Sequence, residues 1–296
     1  MSLLDWLAAT PPDVAVAIDR GHVAAARLDW RGGRPVVAAE AFEALPAGAV
    51  TPALAAPNMP DTGAVGAVVS RVLDQLGGRT SRVALVVPDP VVKVSLVRLE
   101  KVPQRVADLR EIVRWQVKKS SPFPVEQAVL SISPGEASAD GGREFVVALA
   151  REDVIRQYEQ ACAMARAHAG LVDVATFGVV GSLLAGGAPS GDWLVVHVAE
   201  SFTTVAVMRG ERLIFFRTRS DESEGTLGDL IHQTAMYYED RLQGTGLSQV
   251  WLAGPESMTA EVQQDLETRL STRVEAVPAG ATAALVGVLA RERKAA

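Results

Sequence analysis

The sequence predicts an α/β protein of two similar lobes, each built βββ-α-β-α-β-α, with a small α/β subdomain inserted into the first. Two observations carry this reading. Three strand-like stretches follow one another closely near the N-terminus and again after residue 190, and each triplet leads into alternating helical and extended segments. Residues 88–150 break the first-half rhythm with a strand, a helix and two further strands of their own. The expected units are therefore 1–87 with 151–188, the insertion 88–150, and 189–296.

The first triplet is Val14–Asp19, Val23–Trp30 and Pro35–Phe42, with Arg31-Gly32-Gly33-Arg34 as a hairpin signal between the last two. A Pro/Ala/Gly-rich connection, Leu45–Thr62, leads to a helix over Gly63–Leu76, where Val65, Val68, Val69, Val72 and Leu76 recur at helical spacing. Arg82–Val87 reads as a buried strand stopped by Pro88-Asp89-Pro90. In the insertion, Val92–Leu99 alternates apolar and polar residues. Pro103 opens an amphipathic helix with Val106, Leu109, Ile112, Val113 and Val117 on its inner face, and Pro122 and Pro124 end it. Strands Ala128–Ile132 and Glu144–Ala150 flank a polar tip, Ser133–Arg143. A helix over Arg151–His168, a strand Leu171–Val174 and a helix Thr176–Leu184 complete the first half.

Gly186-Gly187-Ala188-Pro189-Ser190-Gly191 marks the passage to the second half. There the strands Trp193–Val198, Thr203–Met208 and Arg212–Arg217 precede a helix Thr226–Leu242. A strand Gln249–Ala253, a helix Thr259–Leu270, a strand Val274–Ala276 and a helix Thr282–Glu292 follow.

Composition narrows the function classes. With 48% hydrophobic and 22% charged residues among 296, this is ordinary globular composition. A net charge of −6 argues against a nucleic-acid binder. Cys162 is the single cysteine, which excludes an internal disulfide and multi-cysteine metal frameworks. The uncharged run Val174–Gly191 contains five glycines and Pro189, so it reads as a buried helix and linker rather than a membrane span. Met1–Leu7 lacks a basic n-region. Leu3, Leu4, Trp6 and Leu7, with Asp5 among them, bury too little to anchor a chain in a bilayer, and a cytoplasmic location is expected.

Chemistry-bearing motifs are few. Asp19-Arg20-Gly21 sits at the first hairpin turn, where an aspartate can serve Mg2+ and a glycine lets the backbone approach a phosphate. The same pair also favours ordinary turns. At the equivalent second-half turn the aspartate position is His197 and the glycine position Ala199. Ser201, Thr203 and Thr204 can donate hydrogen bonds there, although such hydroxyls usually satisfy local backbone groups. Gly254 follows a strand where a turn can pass under a nucleotide, and Pro255 beside it has no N–H to donate. His22, His168, His197 and His232 share no metal spacing. Neither G-x-S-x-G nor G-x-x-x-x-G-K-[ST] occurs, so no catalytic residue is assigned.

One stretch is more specific. Leu99-Glu100-Lys101-Val102-Pro103 runs through Asp108–Ile112 to Ser121-Pro122-Phe123-Pro124-Val125-Glu126-Gln127-Ala128-Val129. Together with Ala169-Gly170-Leu171 before Val172-Asp173-Val174, and with Met236-Tyr237-Tyr238, it resembles the PilM family of type IV pilus assembly proteins. That family lies within the actin/Hsp70 ATPase superfamily, and the likeness spans about Val14 to Leu289.

The resemblance implies an actin-like (ribonuclease H-like) fold. It implies vestigial nucleotide contacts at Asp19, Gly21, Ser201, Thr203, Thr204 and Gly254. It also implies a groove by the insertion for the cytoplasmic N-terminal tail of a PilN-like inner-membrane protein. This chain departs from the family at the first phosphate turn, where His22, Val23 and Ala24 replace hydroxyl donors. It departs again at His197 and Ala199, and after Arg217, where most of the upper subdomain of the second lobe is missing.

The resulting expectation is a scaffold at the inner-membrane platform of a type IV pilus or related secretion system, a pseudo-ATPase without cofactor or metal, with other platform proteins and further copies of itself as partners and no direct membrane insertion. Val94, Leu96, Leu99, Val113 and Trp115 are the candidate partner-binding residues. Two alternatives stay open: a nucleotide-switched ATPase using Mg·ATP, and the cytoplasmic domain of a type II secretion L-like protein.

Overall fold

Val14–Ile18 (β1), His22–Arg31 (β2) and Arg34–Ala44 (β3) form an antiparallel meander, and Arg82–Val87 (β4) and His168–Val174 (β8) extend it in parallel. The strand order is β3-β2-β1-β4-β8. In the second half Asp192–Val198 (β9), Phe202–Arg209 (β10), Arg212–Ser220 (β11), Gln249–Ala253 (β12) and Val274–Ala276 (β13) repeat it as β11-β10-β9-β12-β13. The duplication anticipated from the rhythm of the chain is thus a duplication of topology. The computed structural model describes residues 12–78, 80–137, 141–220, 226–270 and 272–295. The N-terminal Leu3, Leu4, Trp6 and Leu7 lie outside the described residues.

Local chemistry sets the element ends. Gly32 and Gly33 hold φ of 58° and 78°, the paired left-handed values of a two-residue hairpin turn between β2 and β3. Helix Thr62–Gln75 (α1) is capped by Asp61, whose side chain accepts from the amides of Gly63 and Ala64. Helix Glu152–Met164 (α3) is shorter than the expected Arg151–His168. Arg166 enters the left-handed region at φ 59°, the Ala167 amide bonds back to Cys162 O, and His168 opens β8 instead. Helix Leu227–Asp240 (α5) begins with a capping box between Thr226 and Asp229, only residues 221–226 separating it from β11.

The two sheets are each covered on one side by their own helices. In the first, Val16, Ile18, Val23, Leu85 and Val87 pack on α1 and α3 through Val65, Val69, Val72, Tyr158 and Cys162. Burial pushes the Cys162 thiol up to about 12, consistent with a packing role. In the second, Leu194, Val196, Val205 and Val207 pack on α5 and on helix Glu256–Leu270 (α6).

The inner sides are covered by exchange. Helix Ala175–Ala185 (α4), from the first half, places Val179, Val180 and Leu183 on Trp193, Val195, Ala206 and Met208 of the second sheet. Helix Ala283–Ala295 (α7), from the second half, places Leu285, Val288 and Leu289 on Ala15, Ala26, Ala84 and Val86 of the first. Alternation of Val and Ala in β1 fits this arrangement, the larger side chains meeting α1 and α3 and the smaller ones α7.

α4 and α7 touch backbone to backbone. A Cβ on Gly178 would meet the Ala284 carbonyl, one on Gly181 would lie 2.8 Å from Gly287 O, and one on Gly287 would run into Gly178 O and the Ser182 amide. A helix buried between a sheet and a second helix has no polar face, which accounts for the uncharged run.

The inserted sheet, of Val92–Leu99 (β5), Ala128–Ala137 (β6) and Arg143–Arg151 (β7), has the order β5-β7-β6. Helix Val106–Lys118 (α2) covers one face, where Val97, Leu99, Val113, Val117, Phe123, Val125, Phe145 and Val147 form a small core. Phe123 and Val125 of the Pro-Phe-Pro run close its end. The expected inner stripe needs correcting: Val113 and Val117 are buried, but Val106 and Ile112 are exposed because α2 overhangs the narrow sheet. The polar tip is also shorter than expected, since β6 continues to Ala137. The edge strand β5 runs beside β11 of the second lobe rather than the first lobe.

The helix crossing yields a test. Glycine inside a helix normally costs about 1 kcal/mol against alanine. We predict the opposite sign for Gly287→Ala: a loss of about 2 kcal/mol or more in urea unfolding, because backbone atoms cannot turn aside as a side chain can. A stabilised Gly287→Ala protein would show that the helices can part at no cost.

Candidate functional site

Two concavities lie against the places singled out by the sequence. The first is the cleft between the lobes, of about 350 Å3, lined by Ile18, Asp19, Val87, Val179, Val198 and Gly254 among others. Its mouth is formed by the β1–β2 turn and the β9–β10 turn, and these turns meet. Asp19 Oδ1 accepts from the Arg20 amide at 2.7 Å and from Ser201 Oγ at 3.4 Å. The Glu200 carboxylate occupies the space where a Cβ on Gly21 would stand, so a larger residue there would displace it. At the rim Phe42 stacks on His22, with ring centroids 4.7 Å apart.

The six expected nucleotide contacts do not converge. Asp19 and Gly254 line the cleft, Gly254 at φ 147°. Gly21 and Ser201 form the closed contact between turns. Thr204 is fully buried and its hydroxyl bonds Thr218 Oγ1 at 2.8 Å, while Thr203, next along β10, stands on the opposite face with Val205.

Beneath the turns lies a buried network that sequence reasoning missed. Asp89, with no exposed surface, accepts from the Thr176 amide at 2.9 Å and from the Thr176 hydroxyl. Thr176 Oγ1 also lies 2.8 Å from His197 Nδ1. The network joins the end of β4, the start of α4 and β9, and so crosses from one lobe to the other. Burial pushes the Asp89 carboxyl up to about 6, against hydrogen bonds from Thr176 and Thr204 and with the nearby Asp19 charge adding to the rise. Burial also holds His197 down at about 4, against the attraction of Asp19. An aspartate between two prolines was the only available signal, and it reads equally as a strand stop.

This donor set does not fit a magnesium-bound triphosphate. Mg2+ needs carboxylate lone pairs aimed into the cleft. Both oxygens of Asp89 are engaged by Thr176, and Oδ1 of Asp19 by Arg20 and Ser201, which leaves Asp19 Oδ2 as a single carboxylate oxygen for a cation. No lysine or arginine lines the cleft among the described residues, while Asp19 and Glu200 would face the phosphates.

The second concavity is a trough between the inserted sheet and the first lobe, in two adjoining parts of about 510 and 300 Å3. Val129, Ser131, Val146 and Ala148 of the inserted sheet form one wall, and Leu171, Val172, Asp173 and Val174 of β8 the other. β8 is the last strand of its sheet among the described residues, so its outer edge offers backbone groups to an added strand. Asp173 at the centre is held by an ion pair with Arg291 of α7.

The five expected partner-binding residues divide among three surroundings. Leu99 and Val113 are buried in the α2 core, which uses them for packing. Val94 and Leu96 pair with Ala148 and Val146 and share their face of the inserted sheet. Trp115 projects from the outside of α2, 70% exposed and away from both.

A family model described as type IV pilus assembly protein PilM matches residues 16–225. Among solved structures, the chain is similar to a PilM–PilN type IV pilus biogenesis complex at TM-score 0.74 and 19% identity, with 90% of this chain and 88% of that one covered. A Bacteroides thetaiotaomicron protein of actin-like ATPase fold and unknown function matches at TM-score 0.55 and 9% identity, covering 96% and 99%. The cytoplasmic domain of EpsL, an inner-membrane component of the Vibrio cholerae type II secretion system, matches at 0.51 and 10%, covering 94% of each chain. No curated protein matches the sequence. At such identities the structural likenesses establish the fold, which is actin-like.

The buried network generates a pH test. Asp89 is raised above its ordinary range, so it favours the folded state at low pH, a contribution lost as pH rises through about 6. His197 is lowered, so its contribution is present above the ordinary imidazole range and lost as pH falls toward about 4. In the native chain the two offset each other. Asp89→Asn mimics the protonated acid and leaves His197 alone. We predict that its stability falls on acidification from neutral pH, whereas that of His197→Gln rises. Urea midpoints across pH check this, and parallel profiles for the two variants would contradict it.

Proposed function

Because the chain belongs to the type IV pilus assembly protein PilM family, we propose that it is an actin-like scaffold of the pilus inner-membrane platform. It holds the cytoplasmic N-terminal tail of a PilN-like membrane protein in the trough beside β8. Its interlobe cleft is a vestige that does not turn over ATP.

The observation that carries this reading is the trough itself. An extended tail can add as a strand to the free edge of β8, its backbone satisfying that edge. Alternate side chains then enter the apolar wall of Val129, Val146 and Ala148. Ion pairs stand at the two ends, Glu152 with Arg156 and Glu136 with Arg212, so the trough suits a tail segment that is apolar in the middle. The solved PilM–PilN complex, similar over most of both chains, supports the choice of partner class. No helix among the described residues is long and apolar enough to cross a membrane. The partner tail tethers the protein on the cytoplasmic side of the inner membrane.

The contact between the turns, the buried and engaged Asp89, and a cleft without lysine or arginine among the described residues support the pseudo-ATPase reading. The second reading, a nucleotide-switched ATPase, draws on Asp19 and Gly254 in the cleft wall. The third, a type II secretion L-like domain, draws only on a likeness of fold.

Two measurements separate these readings. Titration with a synthetic PilN-like tail is expected to show binding that Ala148→Arg weakens at least tenfold and Trp115→Ala leaves unchanged. Unaltered affinity in a well-folded Ala148→Arg protein would place the tail elsewhere. Titration with Mg·ATP is expected to show no tight binding, with no phosphate release, and a micromolar Kd would support the ATPase reading instead.

A further inference from the structure

α2 covers the inserted sheet on the side opposite the trough, and nothing among the described residues covers its outer face. Trp115 is 70% exposed, Ile112 is exposed three residues before it, and Val102 is exposed in the segment leading into the helix. Scattered single apolar residues on a surface are normal, but this group falls within one helix and its lead-in. The charge around it is as uneven. From Arg98 to Lys119 the sequence carries seven cations and three carboxylates, in a chain whose net charge is −6. Lys101, Arg105, Arg110, Arg114, Lys118 and Lys119 are all exposed. Arg110, Arg114 and Lys118 follow one another at helical spacing along one flank. Asp108 and Glu111 are the only carboxylates on α2 itself; they stand seven and four residues before Trp115 on its side of the helix, and Lys118 pairs with Glu126.

We propose that the outer face of α2 is a membrane-docking surface that lies on an anionic phospholipid bilayer. Charge complementarity selects the occupant: the most basic segment of an acidic chain is also the one that exposes a tryptophan. An indole sits well at headgroup level, with its ring in the acyl boundary and its N–H toward water, while arginines and lysines beside it meet lipid phosphates. The helix lies on the surface and does not span, since its inner residues Val113 and Val117 stay in the core. The surface is separate from the trough, so it needs no partner to act.

The test uses the full chain and sedimentation with vesicles of phosphatidylcholine, alone or mixed with phosphatidylglycerol. Binding is expected to the mixed vesicles only, and to weaken as salt rises. Each cation removed is expected to weaken binding roughly fivefold, so Arg110→Gln, Arg114→Gln and Lys119→Gln together are expected to weaken it roughly a hundredfold. Bromine-labelled lipid is expected to quench tryptophan fluorescence in the native chain and much less in Trp115→Phe. All these side chains are exposed, so unfolding temperatures are expected to be unchanged. Absence of binding to the mixed vesicles at low salt would overturn the proposal and point to an acidic protein partner. Undiminished binding by the triple variant would overturn it too. Tail-peptide affinity of the triple variant is expected to equal the native value, which keeps this test apart from that of the trough.

Discussion

The contact between α4 and α7 is the constraint from which the rest of the molecule follows. Each helix closes the half that did not supply it, so neither sheet has a complete core without the other. The crossing is close enough that Gly178, Gly181 and Gly287 are required by space rather than by backbone angle. That closeness draws the inner faces of the two sheets together and sets the depth of the interlobe cleft. It also brings Thr176, in the first turn of α4, within reach of His197 on the second sheet. The Asp173–Arg291 ion pair then ties β8 to α7. An interior built this way couples the lobes rigidly, because packed backbone has no soft mode comparable to a rotating side chain.

Rigidity of that kind agrees with the chemistry of the cleft. A nucleotide switch needs two turns that part and close around phosphate. Here Ser201 and Asp19 bond directly, and Glu200 packs on Gly21. A neutral imidazole stands where the family pattern places a carboxylate, and it pairs with a threonine already committed to Asp89. The polar groups at the cleft are turned toward each other and join the lobes.

Much of this fold was legible in the sequence, and the reasons are specific. The β2–β3 turn was plain because Gly32-Gly33 fits a turn with two left-handed residues. Val174–Gly191 could be read as buried because a charge-free run broken by glycines suits a helix between two surfaces. That α4 would cover the opposite lobe was not legible, since periodicity shows which face is apolar and not what covers it. The end of α3 was missed because Arg166, not a glycine, takes the left-handed position.

The site was harder to read. Asp89 and Thr176 are 87 positions apart and meet only through the fold. Leu99 and Val113 looked like groove residues because a strand and helix of this pattern expose or bury the same residues depending on which side is open. The free edge of β8 is invisible until the strand order is known.

The account's central claim is that the partner tail is held at the free edge of β8 while the cleft between the lobes stays shut. Amide hydrogen exchange of the full chain with and without a PilN-like tail peptide tests this most directly. The account predicts slowed exchange confined to His168–Val174 and to the facing strand Ala128–Ala137, with no change at Asp19–His22 or Ala199–Ser201. Protection that appeared instead at those two turns, or only along α2, would contradict it.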